Sequence, residues 1–199
     1  MGKRDRAGVP PNELPDEVLV MAALVGDITA FDHLVRRYRG AVVRLAEAIV
    51  GPDLAEDVAQ EALLTAFKAL PTLETPSKFA AWLHVITRHK ALRMSQREQA
   101  LRTKQAELDR LLLERSTALS RPLLSKSDEP AAVREAIQRL PPDYRLVVTL
   151  RYFDQMPVKR IAEFLMLPLT TVKWRLHKGR HLLRQILEGG RHGKGTRNS

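Results

Sequence analysis

The strongest constraint on the fold of this chain is a break at Leu167-Pro168 between two short helical patterns. The first pattern occupies residues 158–164, and the second begins at Leu169 and carries basic residues on one face. Two short helices that meet at a tight turn form a helix-turn-helix, whose second helix enters the major groove of DNA. The sequence therefore predicts nucleic acid as a binding partner.

The distribution of charge supports this prediction. The net charge is +10, and residues 131–199 carry 14 Lys or Arg against five Asp or Glu. Residues 1–30, 31–97 and 98–130 contribute only −2, +3 and 0. Nearly the whole positive excess therefore lies with the helix-turn-helix, as expected of a surface that neutralises phosphates.

The composition argues against several other kinds of site. The chain has no cysteine, which excludes disulfides, thiolate catalysis and cysteine-ligated zinc. No apolar run approaches the roughly 20 residues that cross a bilayer, and the charged start does not resemble a signal peptide, so we expect a cytoplasmic protein without a membrane segment. No phosphate loop, nucleophile elbow or paired-carboxylate signature is present, and His177 and His181 have no third metal ligand nearby. We therefore expect no enzyme activity, no metal and no cofactor.

Helical spacing of apolar residues runs through nearly the whole sequence, and no strand alternation is evident. The chain is therefore predicted to be all-α, with two small helical domains joined by a flexible linker. In the first domain, residues 16–97, the predicted helices run over 16–25 with Gly26 as the stop, from a cap at Asp27 to a break at Gly51-Pro52, from a capping box at Asp53 and Glu56 to about Leu70, and from a cap at Ser77.

Residues 98–130 are predicted to be the linker. Their first half is compatible with a continuation of the fourth helix, whereas the second half is rich in Ser and contains Pro122. The second domain has predicted helices over 131–139, 142–152, 157–165 and 169–188, and residues 189–199 form a basic tail.

The last helix has two distinct faces. Its apolar stripe consists of Val172, Leu176, Leu183 and Leu187. The other face is predicted to bind DNA, because Lys and Arg suit guanine edges and phosphates and because hydroxyls at a helix start can meet a phosphate. A solvent-facing Trp174 indicates a partner, although covering the neighbouring helix is an alternative use. The predicted DNA-binding residues are Thr170, Thr171, Lys173, Trp174, Arg175, His177, Lys178 and Arg180.

These residues resemble a known family. The pattern from Leu140-Pro141 through Leu150-Arg151-Tyr152-Phe153 and Ile161-Ala162 to Thr171-Val172-Lys173 and Arg180 is similar to the minus-thirty-five-binding domain of bacterial sigma factors. The resemblance is closest to the compact two-domain group of extracytoplasmic function (ECF) sigma factors. It adds Arg160, at the start of the helix before the turn, to the residues implied to contact the minus-thirty-five duplex.

The first domain carries a second resemblance. Residues 53–62 resemble the helix with which ECF sigma factors dock on the clamp of RNA polymerase. One face of this helix is polar and acidic with an apolar edge, which suits a basic helical partner. The residues on that face are Asp57, Gln60, Glu61 and Leu64. The resemblance implies core RNA polymerase as a partner, through the clamp helices and flap of its large subunits.

The segment from Phe79 to Arg88 resembles the next helix of the family, which melts and reads the minus-ten element. Bases of a melted strand stack on aromatic faces, and their phosphates pair with cations. The residues implied to contact this region are Lys78, Trp82, Arg88, His89 and Arg93.

Several positions depart from the family pattern. His89 and Arg93 stand where an Asn and an Asp are usual, Arg160 replaces a Glu, Met166 and Thr170 replace Gly, and Trp174 replaces a small residue. These changes bear on promoter preference more than on the fold, because His89 and Trp174 fall where bases would be read.

The sequence thus predicts a sigma factor that binds core RNA polymerase and directs promoter recognition, DNA melting and transcription initiation. An anti-sigma partner is typical of the group. Two alternatives stay open at this point. One is a helix-turn-helix regulator that acts without replacing the sigma subunit, and the other is a polymerase-binding protein that does not initiate.

Overall fold

The computed structural model describes residues 14–112 and 131–192. Within these ranges every regular element is helical and no strand occurs, which confirms the all-α prediction. The helices are α1 (Asp16–Leu24), α2 (Ile28–Val50), α3 (Pro52–Ala69), α4 (Phe79–Leu112), α5 (Ala131–Gln138), α6 (Pro142–Tyr152), α7 (Val158–Leu165) and α8 (Leu169–His192). The Ser-rich half of the predicted linker, the first 13 residues and the end of the basic tail lie outside the described residues.

Glycine and aspartate set the boundaries of α1 and α2 as the sequence predicts. Gly26 follows α1 with a φ of 101°, and Gly51 follows α2 with a φ of 83°. Both values lie in the left-handed region, which glycine enters without a steric cost. The side chain of Asp27 caps α2 by accepting hydrogen bonds from the backbone N–H groups of Thr29 and Ala30, at 2.9 and 3.2 Å. The prediction of this cap is therefore confirmed.

Two predicted caps are wrong, both beside a proline. The α3 helix begins at Pro52 rather than being capped by Asp53, because proline has a φ suited to the first helical position and lacks an N–H that would need a partner. Asp53 therefore lies inside the first turn, where its charge favours the positive end of the helix dipole. Ser77 lies within a short 3₁₀ turn over Pro76–Lys78, which leads directly into α4 without a side-chain cap.

The α4 helix is much longer than its neighbours. It contains 34 residues and continues to Leu112, so the first half of the predicted linker does extend the fourth helix. Beyond residue 95, each side chain is exposed or partly exposed as far as residue 105. Residues 96–105 of the helix therefore extend beyond the apolar core of the domain.

The first domain packs around α2. Its buried face includes Leu34, Tyr38, Val42 and Leu45. Asp16 ties α1 to this helix, since its carboxylate accepts hydrogen bonds from the Tyr38 hydroxyl and from Arg37. The ring of Tyr38 also lies 5.7 Å from that of Phe79 on α4, measured between centroids. Tyr38 is therefore in contact with three helices of the first domain, its own included.

In the second domain α8 packs closely on α6, and Gly179 makes this possible. A Cβ at this position would lie 2.8 Å from Cγ2 of Val148, closer than side chains tolerate. The apolar stripe of α8 is buried at Val172 and Leu176, as predicted. The helix-turn-helix break falls at Met166, whose backbone is left-handed (φ 54°, ψ 40°). The N–H of Leu167 donates to the carbonyl of Ala162 at 3.0 Å and closes the end of α7.

The two domains also share one apolar core. The ring of Phe164 on α7 lies 5.9 Å from that of Tyr38 and 5.4 Å from that of His84 on α4, between centroids. Next to these rings, Asp154 in the loop after α6 lies against Gly40 and places Oδ2 3.7 Å from Nε of Arg44. We call this set the interdomain contact: Tyr38, Gly40, Arg44, His84, Asp154 and Phe164.

The left-handed backbone at Met166 predicts a gain in stability from Met166→Gly. An L-residue in this conformation costs about 1–2 kcal/mol that glycine avoids, so we expect the free energy of unfolding in urea to rise by about 1 kcal/mol. Met166→Ala is the matched control, because it removes the half-exposed side chain but keeps the Cβ. An equal gain in both variants would contradict the backbone explanation.

Burial of His84 predicts a loss of stability in acid. The ring is 8% exposed. Burial, followed by the charge of Arg88, lowers its pKa below 6.5. As the pH falls through about 6.5, the unfolded chain takes up a proton at this residue while the folded chain does not, so the free energy of unfolding decreases.

We therefore expect His84→Leu to flatten the fall in thermal midpoint between about pH 7.5 and about pH 5.5. His89→Leu serves as the control, since His89 is an exposed histidine of the same helix and leaves His84 in place. An unchanged pH dependence in His84→Leu would show that another group is responsible.

Candidate polymerase and nucleic-acid interfaces

The structure places all four residues of the predicted polymerase-binding set on the exposed face of α3. Asp57, Gln60, Glu61 and Leu64 are exposed, while Val58, Ala59 and Ala62 on the other face are buried. Leu64 keeps 54% of its surface accessible, which is a large fraction for an apolar side chain in the middle of a helix. The α3 face, defined by these four exposed residues, is therefore available to a partner.

Members of the α3 face differ in how strongly the fold holds them. Glu61 is 3.6 Å from the ammonium group of Lys90 on α4, so this carboxylate links two helices. Asp57 makes no ion pair within the described part of the chain. A basic partner would thus meet one free carboxylate at Asp57 and one already engaged at Glu61.

The predicted minus-ten residues divide between surface and core. Arg88, His89 and Arg93 are exposed on α4, and Lys78 is exposed in the 3₁₀ turn that precedes it. Trp82 is partly buried, packs against the first-domain core and lies 6.0 Å from the ring of Phe79 between centroids. The exposed cations can hold a strand backbone, whereas Trp82 offers only part of its ring to a base.

The α8 helix presents the most coherent charged surface. Its exposed positions include Thr170, Lys173, Trp174, His177, Lys178 and Arg180. Val172, Leu176 and Gly179 on the opposite side are buried against the rest of the domain. Because the second helix of a helix-turn-helix is the one that enters the major groove, this exposed side, the α8 face, has the position required for reading bases.

Trp174 projects from the α8 face and packs against Tyr144 of α6. The indole is 56% exposed, and its ring centroid lies 5.9 Å from that of Tyr144 on α6. It therefore covers part of the adjoining helix and still leaves a large apolar surface to solvent. The two sequence readings of Trp174, covering a helix and meeting a partner, are both compatible with this position.

Two predicted DNA contacts, Arg175 and Arg160, are less accessible than the exposed cations of α8. Nη2 of Arg175 lies 2.9 Å from Oδ2 of Asp143, and the Arg175 side chain is only 22% exposed. Arg160 is half-buried on α7 and close enough to Tyr38 for its charge to affect the phenol. The position of Arg160 is thus towards the interdomain contact, unlike the freely exposed cations of α8.

Sequence reasoning missed the residues that orient these side chains. Asp143 and Tyr144 were not singled out, although each touches a residue of the predicted site. Their partners lie 32 and 30 positions away, so helical spacing gives no signal for them. Among the described residues no group of three or more His, Cys, Asp or Glu is arranged to hold a metal, and no helix combines the length and apolarity needed to cross a bilayer.

Comparison with known families identifies both domains. Residues 34–101 match Sigma-70 region 2, and residues 131–183 match Sigma-70, region 4. The first match contains the exposed faces of α3 and α4, and the second contains α8. The presence of both regions supports a sigma factor over a regulator that uses only a helix-turn-helix.

Similar proteins of known function agree over nearly their whole length. The ECF RNA polymerase sigma-E factor of Escherichia coli is 30% identical over 179 residues, covering 86% of this chain and 93% of that protein. The ECF RNA polymerase sigma factor SigW of Bacillus subtilis is 29% identical over 170 residues, covering 81% of this chain and 91% of that protein.

Solved structures show the same fold. CnrH in complex with the cytosolic domain of CnrY aligns with a TM-score of 0.55 at 22% identity, covering 88% of this chain and 99% of CnrH. The sigma factor RpoE in complex with the anti-sigma factor NepR from Bartonella quintana aligns with a TM-score of 0.52 at 20% identity, covering 81% and 98%. Taken with both sigma regions and the relatives of known function, the chain belongs to the ECF group of sigma factors, which are not enzymes but direct RNA polymerase to promoters and start transcription.

Proposed function

We propose that three exposed surfaces divide the work of this sigma factor, with α3 binding core RNA polymerase, α4 the minus-ten element and α8 the minus-thirty-five element. The observation that carries the proposal is the two-sided construction of α8, where Val172 and Leu176 are buried while Lys173 and Lys178 are exposed. A helix anchored on one side and basic on the other can enter a major groove without disturbing its own domain.

The α3 face is the proposed contact with the clamp helices of the polymerase. It combines a free carboxylate at Asp57, an amide at Gln60 and an apolar edge at Leu64. Interfaces of this kind gain affinity from the burial of the apolar edge and specificity from the polar groups around it. In this assignment Glu61 contributes mainly by holding α3 against α4 through Lys90.

The start of α4 is the proposed contact with the melted minus-ten strand. Arg88 and Arg93 are exposed and suit phosphates, and His89 lies beside them where it can meet a base. Lys78 extends this surface from the 3₁₀ turn that precedes the helix. Unpaired bases bound here would offset the cost of opening the duplex, which amounts to a few kcal/mol.

The cellular setting of the protein follows from this role. We propose that it acts in the cytoplasm, where promoter DNA and the polymerase are found, with the second domain also reaching the polymerase flap. We also propose an anti-sigma factor as a partner, because RpoE, which has the same fold, is solved with the anti-sigma factor NepR. Copurification of the tagged chain from its host, followed by inhibition of transcription by the recovered protein, tests this partner.

The α3 assignment predicts a loss of polymerase binding in Gln60→Ala and Asp57→Ala. Truncating a central interface residue often costs more than 1 kcal/mol, so we expect about tenfold weaker binding to core RNA polymerase, measured by competition for the core enzyme. Asp32→Ala is the matched control, since Asp32 is an exposed carboxylate on α2 outside the α3 face. If all three variants bound equally well, the α3 assignment would be wrong.

The α8 assignment predicts that Lys173→Ala reduces promoter binding by the holoenzyme and lowers the dependence of that binding on salt. Losing one phosphate contact should decrease the slope of log affinity against log salt by about one. Arg139→Ala removes one exposed charge from the same domain outside α8 and should leave the slope unchanged. Reconstituted transcription on a genomic fragment library, with mapped RNA starts, then reports whether the remaining starts share two spaced upstream elements.

Trp174 predicts a different phenotype from that of the lysines. An exposed indole can contact a thymine methyl group in the major groove without adding charge. We therefore expect Trp174→Ala to reduce discrimination at one promoter position by about 1 kcal/mol while the salt dependence stays the same. The measurement is a comparison of start-site preferences on a promoter library. A uniform loss across all promoters would instead indicate that Trp174 supports the fold through Tyr144.

A further inference from the structure

The part of α4 beyond the apolar core carries a surface that the three assigned interfaces leave unused. Residues 96–105 are exposed or partly exposed, and at 1.5 Å per residue they lengthen the helix by about 15 Å. Between residues 88 and 105 the sequence contains six Lys or Arg and a single acidic residue, Glu98. A basic helical segment therefore extends from the first domain next to the proposed minus-ten contact.

Three of these cations share one side of the helix. Arg93, Arg97 and Lys104 are spaced by four and seven residues, so at about 100° per residue they fall within about 40° of one another. All three are exposed, and we call this row the α4 stripe. His89 precedes Arg93 by about one turn on nearly the same side, so the stripe continues the surface assigned to the minus-ten element.

The cations of the α4 stripe are free to meet an anion. Among the described side chains, none of Arg93, Arg97 and Lys104 has a partner in an ion pair. Arg102 differs, because its Nε lies 3.9 Å from Oε2 of Glu98. Its position is turned about 140–180° away from the stripe. The single acidic residue of this segment is therefore paired away from the stripe and does not neutralise it.

The chemistry of the α4 stripe fits the backbone of a duplex better than an unpaired strand. Proteins that bind single strands combine cations with aromatic rings on which the bases stack. Residues 90–112 contain no Phe, Tyr or Trp, so the stripe offers no ring to an unpaired base. Its cations span about 16 Å, which corresponds to about five base pairs at ~3.4 Å each. Such a row suits phosphates, which position a protein on DNA but carry no sequence information.

The course of the chain indicates which duplex the α4 stripe meets. Residues 113–130 connect α4 to the second domain, whose α8 is assigned to the minus-thirty-five element. That element lies upstream of the minus-ten element, so we expect the carboxyl end of α4 on the upstream side of the minus-ten contact. The DNA on that side is the spacer between the two elements, which stays paired while the minus-ten element melts.

We infer that the α4 stripe binds phosphates of the spacer duplex directly upstream of the minus-ten element, whatever the sequence of that spacer. Arg93 lies nearest the melted DNA, and Arg97 and Lys104 continue the contact along about five base pairs. Phosphate contacts fix the register of a protein on DNA, so the stripe positions α4 for His89 to meet its base. This inference rests on the proposed assignment of α4 and α8 to the two promoter elements.

Binding of the holoenzyme to a promoter mapped by its RNA starts tests the stripe. We expect Arg97→Ala/Lys104→Ala to reduce the slope of log affinity against log salt by about two, because two phosphate contacts are lost. Alanine favours the helix, so α4 should keep its conformation. Arg102→Ala removes one exposed charge from the other side of the same segment and should leave the slope unchanged. Equal slopes in wild-type protein and in Arg97→Ala/Lys104→Ala would overturn the inference.

Uncharged linkages in the DNA locate the contact. Methylphosphonates in place of the phosphates of the five base pairs upstream of the minus-ten element remove charge there without changing the sequence. We expect this substitution to weaken binding at least about threefold more for the wild-type holoenzyme than for Arg97→Ala/Lys104→Ala, which has already lost the contact. The same loss in both proteins would show that the stripe does not bind these phosphates.

Binding to core RNA polymerase without DNA distinguishes the duplex from an acidic surface of the polymerase. We expect Arg97→Ala/Lys104→Ala to bind the core enzyme as tightly as wild-type protein does. Weaker binding would place the stripe against protein and overturn the inference. Wild-type protein without promoter-specific starts would overturn the proposed function, on which the stripe depends. Normal starts with an unchanged slope in the variant would overturn the stripe alone.

Discussion

The stacking of Phe164 on Tyr38 is the contact on which the arrangement of the whole molecule depends. Tyr38 is already fixed within the first domain. Its hydroxyl donates a hydrogen bond to the carboxylate of Asp16 on α1, and Phe79 of α4 packs on its ring. Burial and the neighbouring carboxylate of Asp16 raise the pKa of this phenol, so it stays protonated and continues to donate. A rigid, neutral ring of this kind is a suitable platform for an apolar side chain from another domain, and Phe164 uses it.

Buried polar groups that reduce stability are unevenly distributed between the first domain and the interdomain contact. Within the first domain the buried faces of α2 and α3 are apolar, whereas His84 and Asp154 sit at the contact between the domains. Burial lowers the pKa of His84 and raises that of Asp154, so both groups are pushed towards their neutral forms. Both groups therefore reduce the stability of the contact between the domains, because each would gain hydrogen bonds with water in the absence of that contact.

Much of this fold could be predicted from the sequence, because helical spacing and glycine stops are local signals. The helix-turn-helix break, the cap at Asp27 and the exposed face of α3 all follow from residues within a few positions of one another. The caps assigned to Asp53 and Ser77 failed because a neighbouring proline already determined where each helix begins. Phe164 could not be placed at an interdomain contact, since an apolar residue gives the same signal whether it faces its own domain or another. The pairing of Arg175 with Asp143 likewise joins helices far apart in sequence.

Under the proposed assignment of α8 to the minus-thirty-five element, the packing of this helix indicates which of its positions can vary without a change in the fold. Gly179 and Leu176 are fixed by packing against α6, and Arg175 is held by Asp143, so substitutions at these positions alter the fold as well as the surface. Lys173 and His177 are exposed and leave the core untouched when replaced. Trp174 is intermediate, because Tyr144 supports one side of its ring while the other side faces solvent. An unusual residue can therefore be accommodated at this position of a sigma factor, since Tyr144 packs on one side of the indole and the other side remains exposed.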